Sequence, residues 1–285
     1  ARSGSFVLPG FYGATVDGAI KLFQRGGGDI TGAIVARCLD ADLYENWTDV
    51  SGFLSADPRI VQNPRAIGRI TFDEMRELSY MGASVLQEEA IFPVREANIP
   101  IQIKNTNRPE DTGTVIRETA DGDVSEHLIT GIAGKKDFLA IHVKKAHMSN
   151  EVGVISRALN IVERYGVSVE HIPTGVDSFG IVVNASDVKD TVYSIISDIR
   201  REIEPDDITM VDRLALVSVV GRNMSRRSGT SGKIFGALGN AGVNIRMITQ
   251  SSEEISIIVG VDNTDFDRTI GVIYNGFVRD EMVSR

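Results

Sequence analysis

The segment Phe138-Leu-Ala-Ile-His-Val143 decides the fold, because a matching segment, Leu214-Ala-Leu-Val-Ser-Val219, follows it at an offset of 76 residues. The same offset relates Tyr165-Gly-Val-Ser-Val-Glu-His-Ile172 to Ala241-Gly-Val-Asn-Ile-Arg-Met-Ile248. Because the register does not slip, the sequence predicts two copies of one small fold, side by side. A duplicated unit of this kind is better suited to sensing a ligand than to making bonds.

Each copy is predicted to contain a strand, a helix, two strands and a second helix. Apolar runs at 138–144 and 214–220 are typical of buried strands. One-faced helices follow, with apolar residues spaced three and four apart. The later elements are expected at 167–173, 178–184 and 188–202, with counterparts at 243–249, 254–260 and 265–276.

Two further strand-like segments are expected to interlock the copies. Residues 208–211 supply a fourth strand to the first copy. The second copy has no such strand after its last helix, whereas residues 128–132 precede the first copy and have no other partner. We therefore expect 128–132 to complete the second sheet.

Composition limits the class of protein. The 285 residues suit two or three domains, and the 42% hydrophobic and 24% charged content is that of an ordinary globular protein. A net charge of −9 argues against nucleic acid or an anionic membrane as the main partner. A single cysteine, Cys38, excludes an intrachain disulfide and favours a cytoplasmic location. We expect Cys38 to be buried, because it lies in an apolar helical stretch with Ile34 and Leu39.

The first part of the chain has a different pattern. Helices at about 28–40, 72–81 and 84–97 alternate with strands at about 43–50 and 101–104, which predicts an α/β layer. The polar stretch that begins at Pro109 and continues to Glu126 is the expected boundary. The predicted domains are 1–126, 127–207 and 208–285, and residues 127–133 lend a strand to the last.

The stretch Arg25-Gly-Gly-Gly-Asp29 opens the first predicted helix of this layer. Glycines let backbone N–H groups approach an anion, and the helix start favours negative charge. Arg25 could grip a carboxylate or phosphate with two hydrogen bonds, and Asp29 could cap the helix or hold an ammonium group. The alternative is a plain flexible turn with an N-cap aspartate.

Thr48 and Asp49 end a predicted strand, where α/β sheets bind ligands. They could contact a nucleotide, or form only a turn. Arg59, after the stiffening Pro58, could reach a phosphate chain, or form a surface ion pair. The histidines lack metal-ligand spacing, so no protein-bound metal site is predicted.

The loop 146–153 precedes the first helix of the repeat and presents backbone N–H groups that suit a carboxylate. Glu170 and Asp177 could receive positive charge, a pattern that suits an amino acid such as lysine, although both could simply be solvated. The second copy has Arg246 and Glu253 at the matching positions, so the copies should differ in ligand affinity.

Several motifs together resemble the monofunctional, lysine-sensitive aspartokinases over essentially the whole chain. They are Pro9-Gly-Phe-Tyr-Gly13, Arg25-Gly-Gly-Gly-Asp29, Trp47-Thr-Asp-Val50, Asp57-Pro-Arg59, Gly82-Ala-Ser-Val85 and Ile103-Lys-Asn-Thr-Asn107. The resemblance implies the C-terminal part of an amino-acid-kinase α/β sandwich followed by two interlocked, ferredoxin-like ACT domains. The first half of the family's kinase domain, with its Lys-Phe-Gly-Gly segment, is not in the sequence, so we expect these residues alone to be inactive.

The resemblance also implies the activity: ATP, with Mg²⁺, phosphorylates the side chain of L-aspartate to 4-phospho-L-aspartate, the first step towards lysine, threonine and methionine. Arg25 and Asp29 would be catalytic, and Phe11 and Gly28 would join them in the aspartate pocket. The implied ATP-binding residues are Thr48, Asp49, Leu54, Arg59, Ser84 and Val85. Gly28, Leu54 and Ser84 replace a serine, a tyrosine and a lysine of some other members, a departure that bears on nucleotide affinity more than on fold.

The first ACT unit resembles the family's lysine-sensing site, and threonine is a further candidate effector. The implied effector residues are Met148, Ser149, Gly153, Val154, Ile155, Glu170, Asp177 and Ser178. ACT units of the family pair across a homodimer, and the resemblance also allows a tetramer. Two other functions stay open: a non-catalytic amino-acid sensor, and a kinase acting on another amino acid such as glutamate.

Overall fold

A computed structural model describes residues 4–83, 85–86, 91–118, 127–250 and 253–279. Within them lie a small hairpin, a four-stranded sheet and a five-stranded sheet. The hairpin pairs β1 (Tyr12–Ala14) with β2 (Ile20–Leu22).

The four-stranded sheet confirms the α/β layer predicted for the first part of the chain. Its strands run in the order β3-β5-β6-β4, with β3 parallel to β5. The strands are β3 (Tyr44–Thr48), β4 (Arg69–Thr71), β5 (Ile101–Asn105) and β6 (Thr114–Arg117). The helices are α1 (Gly27–Cys38), α2 (Phe72–Tyr80) and α3 (Ile91–Glu96). Part of the helix expected at 84–97 lies outside the described residues.

The prediction of a buried Cys38 is wrong. Cys38 is exposed, and so are Ile34 and Leu39, whereas Ala33 and Ala36 are buried. Helix α1 thus packs through small side chains, which let two helices approach closely, and not through its larger apolar stripe. Hydrophobic periodicity alone favours the larger residues and so selects the wrong face.

The five-stranded sheet confirms that the two copies interlock. Its order is β10-β11-β9-β7-β8, where β7 and β9 are long strands that serve both copies. The strands are β7 (Gly131–Lys144), β8 (Ser178–Asn184), β9 (Asp207–Val220), β10 (Met247–Gln250) and β11 (Ser256–Asp262). The start of β7 pairs with the end of β9 (Gly131 with Val220), and the end of β7 with the start of β9 (Lys144 with Asp207). The donated strand starts at Gly131, three residues later than predicted.

The helices repeat at the offset found in the sequence. Helix α4 (Val154–Arg164) matches α6 (Thr230–Asn240) end for end. The short 3-10 helices Met148–Asn150 and Met224–Arg226 precede them. The second helices are α5 (Val192–Ile203) and α7 (Phe266–Ile273), and a 3-10 turn, Asn263–Asp265, and a π-helical turn, Tyr274–Arg279, flank α7.

The strand predicted at 167–173 is largely wrong. Only the isolated bridges of His171 with Val182 and of Thr174 with Phe179 form there. Pro173 has no N–H to donate to a ladder, and proline is tolerated only at the edges of sheets. The segment therefore borders the sheet loosely. Its counterpart at 243–249 is a regular strand only from Met247.

The five-stranded sheet buries both faces near its centre. Ala215, Val217 and Val219 of β9 face a core that contains α6 and α7. Leu214 and Leu216 alternate with them and belong to a core that also contains α2 of the α/β layer. Strand alternation therefore joins the repeat to the first part of the chain through one continuous apolar core.

Candidate active site and effector site

The three glycines at the start of α1 have separate roles. Gly26 caps the helix with a left-handed φ of 89°, which favours glycine. A Cβ on Gly27 would lie 2.4 Å from Cβ of Phe23, whereas one on Gly28 would meet nothing within 4 Å. The backbone therefore turns tightly over Phe23 and leaves open space at Gly28, as a binding loop requires.

Asp29 is held from the neighbouring strand. Nδ2 of Asn46, a buried residue of β3, donates a 2.9 Å hydrogen bond to Oδ1 of Asp29. The Tyr44 hydroxyl donates to the Asp29 carbonyl at 3.2 Å. These bonds fasten the start of α1 to β3, two residues before Thr48. The segments of Arg25 and Asp49, distant in sequence, thus lie at one edge of the sheet.

Phe11 is joined to the same helix start. Its φ is 76°, and its N–H donates to Oγ1 of Thr31 at 3.1 Å. Thr31 in turn donates to the Gly27 carbonyl at 2.8 Å. Phe11 is 42% exposed and the Arg25 side chain is also exposed, so both are accessible to a ligand. The structure therefore brings the predicted aspartate-pocket residues to one exposed helix start.

Thr48 and Ser51, which flank Asp49 and Val50 in the chain, are held by residues that were not predicted as site residues. Thr106 donates to the Thr48 carbonyl from its N–H at 2.8 Å and from its hydroxyl at 2.6 Å. Asn105, at the end of β5, donates to Oγ of Ser51 at 2.8 Å. The motif 103–107 contains Asn105 and Thr106, but only the parallel pairing of β3 with β5 brings them to Thr48.

A cavity of about 710 Å³ lies beyond this sheet edge. It is lined by three of the predicted ATP-binding residues, Leu54, Arg59 and Val85. Ser84 lies outside the described residues.

Arg59 forms the ion pair that was the alternative to phosphate binding. Its Nε lies 3.0 Å from both carboxylate oxygens of Asp57, and its Nη2 lies 2.6 Å from Oδ2. The hydrogen bond from Arg59 lowers the pKa of Asp57 below its usual value. The Arg59 side chain is 88% exposed, so the pair is solvent-accessible and a phosphate can compete for it.

The predicted effector residues fall into two groups. Gly153 caps α4 with a φ of 83°, and Val154 and Met148 beside it are buried. The N–H of Lys145 donates to the Asp177 carbonyl at 2.9 Å, so Asp177 lies against the start of the loop that carries Met148. Ser149, Ile155 and Ser178 adjoin these residues in the chain and complete the first group.

Glu170 stands apart. Its Oε2 accepts a 2.5 Å hydrogen bond from the Tyr80 hydroxyl, at the end of α2. Glu170 lines a shallow pocket of about 670 Å³ together with the carboxyl-terminal part of α4 and the rest of the segment 166–172, and no other predicted effector residue lines it. Burial lowers the pKa of the neighbouring His171, whose Nε2 has no hydrogen-bond partner among the described residues. The acid predicted to bind an effector is thus tied to α2 of the α/β layer.

The described part of the chain contains no group of three or more histidine, cysteine or acidic side chains that could hold a metal ion. No helix within the described ranges is both long enough and apolar enough to span a bilayer.

Comparisons with known proteins identify the family. Family models match two parts of the chain: the Amino acid kinase family at residues 4–105 and the ACT domain at residues 217–277. The chain is 40% identical to Aspartokinase 3 of Bacillus subtilis (strain 168) over 284 residues, which is 99% of this chain. It superimposes on the crystal structure of Clostridium acetobutylicum aspartate kinase with a TM-score of 0.91 and 51% identity over 94% of this chain. The chain belongs to the aspartokinase family.

This aspartokinase chain spans 62% of the length of the Bacillus protein and 62% of the Clostridium chain. Two structures of E. coli aspartokinase III also match at 25% identity, each over 94% of this chain and 59% of theirs. One, with aspartate and ADP in the R-state, has a TM-score of 0.75. The other, with lysine and aspartate in the T-state, has a TM-score of 0.76. The predicted aspartokinase fold, an amino acid kinase layer followed by ACT units, is confirmed.

Proposed function

We propose that the whole protein is an aspartate kinase that transfers the γ-phosphoryl group of ATP to the side-chain carboxylate of L-aspartate, forming 4-phospho-L-aspartate. One observation carries the proposal: the Asn46–Asp29 hydrogen bond of 2.9 Å joins the Arg25–Asp29 loop to the strand that ends in Thr48. Phosphoryl transfer depends mainly on positioning and charge neutralisation. The sheet supplies the positioning, because it holds the Arg25–Asp29 loop beside Thr48. The polar side chains of the two segments supply the charge.

The start of α1 is the proposed aspartate site. Arg25 grips a substrate carboxylate through paired hydrogen bonds, and Asp29 receives the substrate ammonium group. Gly28 leaves space for the substrate, and Phe11 covers it from the side. The exposed Arg25 and half-buried Asp29 agree with these roles.

The adjoining segment is the proposed ATP site. Thr48 and Asp49 contact the nucleotide. The cavity that Leu54 and Val85 line accommodates it. When ATP binds, the Arg59 guanidinium leaves Asp57 and pairs with phosphate oxygens. Ser84 is assigned to this site from the family resemblance alone. Mg²⁺ enters as the ATP complex.

The test is a phosphorylation assay on the whole protein, with ATP and L-aspartate, in which hydroxylamine traps the acyl phosphate. We expect Arg25→Ala to lower kcat/KM by about a hundredfold, as loss of a charge-assisted substrate contact requires. Arg37→Ala is the matched control, since Arg37 is exposed at the other end of the same helix. ATP binding without transfer to aspartate would favour the non-catalytic sensor, and a preference for L-glutamate would favour the other kinase.

Lysine is the proposed inhibitor, with threonine as a further candidate, and the first ACT unit is the proposed sensor. The start of α4 offers its backbone N–H groups to the effector carboxylate, and Glu170 or Asp177 receives its ammonium groups. The E. coli aspartokinase III structure with lysine and aspartate supports lysine as the ligand class. Inhibition then acts as a coupling free energy of roughly 1–3 kcal/mol between the sites.

Calorimetric titration with lysine tests the sensor. We expect Glu170→Gln to weaken binding about tenfold, the usual cost of losing a charged hydrogen bond. Glu163→Gln is the control, because Glu163 lines the same shallow pocket and is exposed. Unchanged affinity in Glu170→Gln would remove Glu170 from the site.

We further propose that two copies pair through their ACT units, because the loosely bridged segment beyond β8 borders an open sheet edge and such edges favour pairing with another chain. A tetramer is the larger alternative. The single cysteine, Cys38, favours a reducing, cytoplasmic location, and the net charge of −9 argues against nucleic acid and anionic membranes as main partners. Sedimentation with and without lysine measures the assembly, and a monomer in both conditions would contradict the pairing.

A further inference from the structure

The cavity of about 710 Å³ has walls from two parts of the molecule. Leu54 and Arg59 line it from the kinase layer. Lys136, Phe266 and Ile270, which belong to the interlocked repeat, line it as well. The proposed ATP pocket is therefore not enclosed by the kinase layer alone.

The chemistry of this wall suits a nucleotide. Phe266 and Ile270 supply an apolar surface. Three of the residues that line the cavity carry positive charge: Arg59, Arg108 and Lys136. Ligand pockets typically combine apolar walls with a few polar groups, and a triphosphate requires positive charge. The carboxylates among the lining residues are Asp57, which holds Arg59, and Asp111.

Lys136 is placed by an irregularity in β7. The register between β7 and β9 shifts between Lys135 and Phe138 and again between Phe138 and Ala140, and such bulges redirect side chains. Nζ of Lys136 lies 4.8 Å from the centroid of the Phe266 ring and 3.1 Å from Oδ1 of Asp267. The bulge thus carries an amino group to the cavity wall.

The Lys136–Asp267 pair is open to exchange. The two side chains are 40% and 65% exposed, and exposed ion pairs contribute little to stability because water screens them. A phosphate group carries more negative charge than the Asp267 carboxylate. It can therefore replace Asp267 as the partner of Lys136 with little loss of stability.

We propose that Lys136 binds the phosphates of ATP, so that the interlocked repeat supplies a nucleotide contact as well as a pocket wall. The inference rests on the proposed ATP site and adds a contact from the repeat to it. Nucleotide binding then spans the junction between the kinase layer and the repeat.

Titration of the protein with MgATP and, separately, with adenosine tests this. We expect Lys136→Met to weaken ATP binding about tenfold, the loss of one charge-assisted hydrogen bond, and to leave adenosine binding unchanged. Lys135→Met is the matched control, because Lys135 precedes it on β7, stacks on Tyr80 at 5.2 Å and does not line the cavity. Asp267→Asn should preserve or strengthen ATP binding, since it frees Lys136.

The outcomes separate the two proposals. If Arg59→Ala weakens ATP binding while Lys136→Met does not, the role of Lys136 is wrong and the ATP site stands. If Asp267→Asn weakens ATP binding as much as Lys136→Met, the ion pair acts only on structure, and the inference is again wrong. If the unaltered protein binds no ATP, the proposed nucleotide site itself fails. Thermal melts of each variant show that the fold is retained.

Discussion

The carboxylate of Glu74, in α2, accepts a 2.9 Å hydrogen bond from Nη1 of Arg222, just beyond β9, although 148 residues separate them. Glu74 is fully buried. It also accepts a 2.6 Å bond from the Thr130 hydroxyl and a 3.0 Å bond from the Thr71 N–H. The residue that completes the N-terminal capping box of α2 therefore also ties the kinase layer to the interlocked repeat.

Replacing Glu74 with alanine should lower the free energy of unfolding by roughly 3–5 kcal/mol, because breaking a buried pair leaves its partner groups without compensation. Urea denaturation measures the change. Glu96→Ala is the control, since Glu96 is an exposed glutamate of α3. Equal stability of the two variants would show that the junction depends on apolar packing alone.

Tyr80→Phe should strengthen lysine binding about three- to tenfold, because it frees the Glu170 carboxylate from a hydrogen bond of about 1 kcal/mol. The substitution keeps the ring on which Lys135 stacks. Calorimetry measures the affinity, and Tyr193→Phe is the control because Tyr193 is 75% exposed. Weaker binding in Tyr80→Phe would mean that the hydroxyl supports the effector site and does not compete with it.

Gly27→Ala should destabilise the protein by about 1–3 kcal/mol, because the new methyl group would overlap Phe23. Gly28→Ala, one residue later in the same helix, meets open space. It should be neutral or stabilise by up to about 1 kcal/mol through helix propensity. Thermal unfolding of the pair measures the difference, and similar melting temperatures would contradict the tight turn over Phe23.

His171 should make stability depend on pH. Burial lowers its pKa below the usual 6.5, so the unfolded chain binds the proton more readily than the folded chain. Stability should therefore fall as the pH drops from about 7 through 6.5 towards the lower, folded-state pKa, by at most about 1.4 kcal/mol per pH unit. Urea denaturation across this range should show a smaller fall in the free energy of unfolding for His171→Gln than for His142→Gln. The second variant is the control, because the His142 side chain is exposed. Identical profiles would show that His171 titrates normally.

The sequence by itself determined the repeat and its interlocking. The offset between Phe138 and Leu214 predicts duplicate elements, and the structure has α4 and α6 at that same offset. Local pattern suffices here because buried strands and one-faced helices are specified by residues close together in the chain. It fails at Cys38, because which face of α1 is buried depends on neighbours that come from elsewhere in the chain.

Only the tertiary structure decided the contacts between the kinase layer and the repeat. No local pattern indicates that Glu74 meets Arg222, that Tyr80 holds Glu170, or that Lys136 lines the cavity of Arg59. These groups lie far apart in sequence and are brought together when the long strands β7 and β9 pack against α2. The physical reason is that apolar burial is non-directional, so which polar groups meet at a junction depends on the folded geometry of both parts.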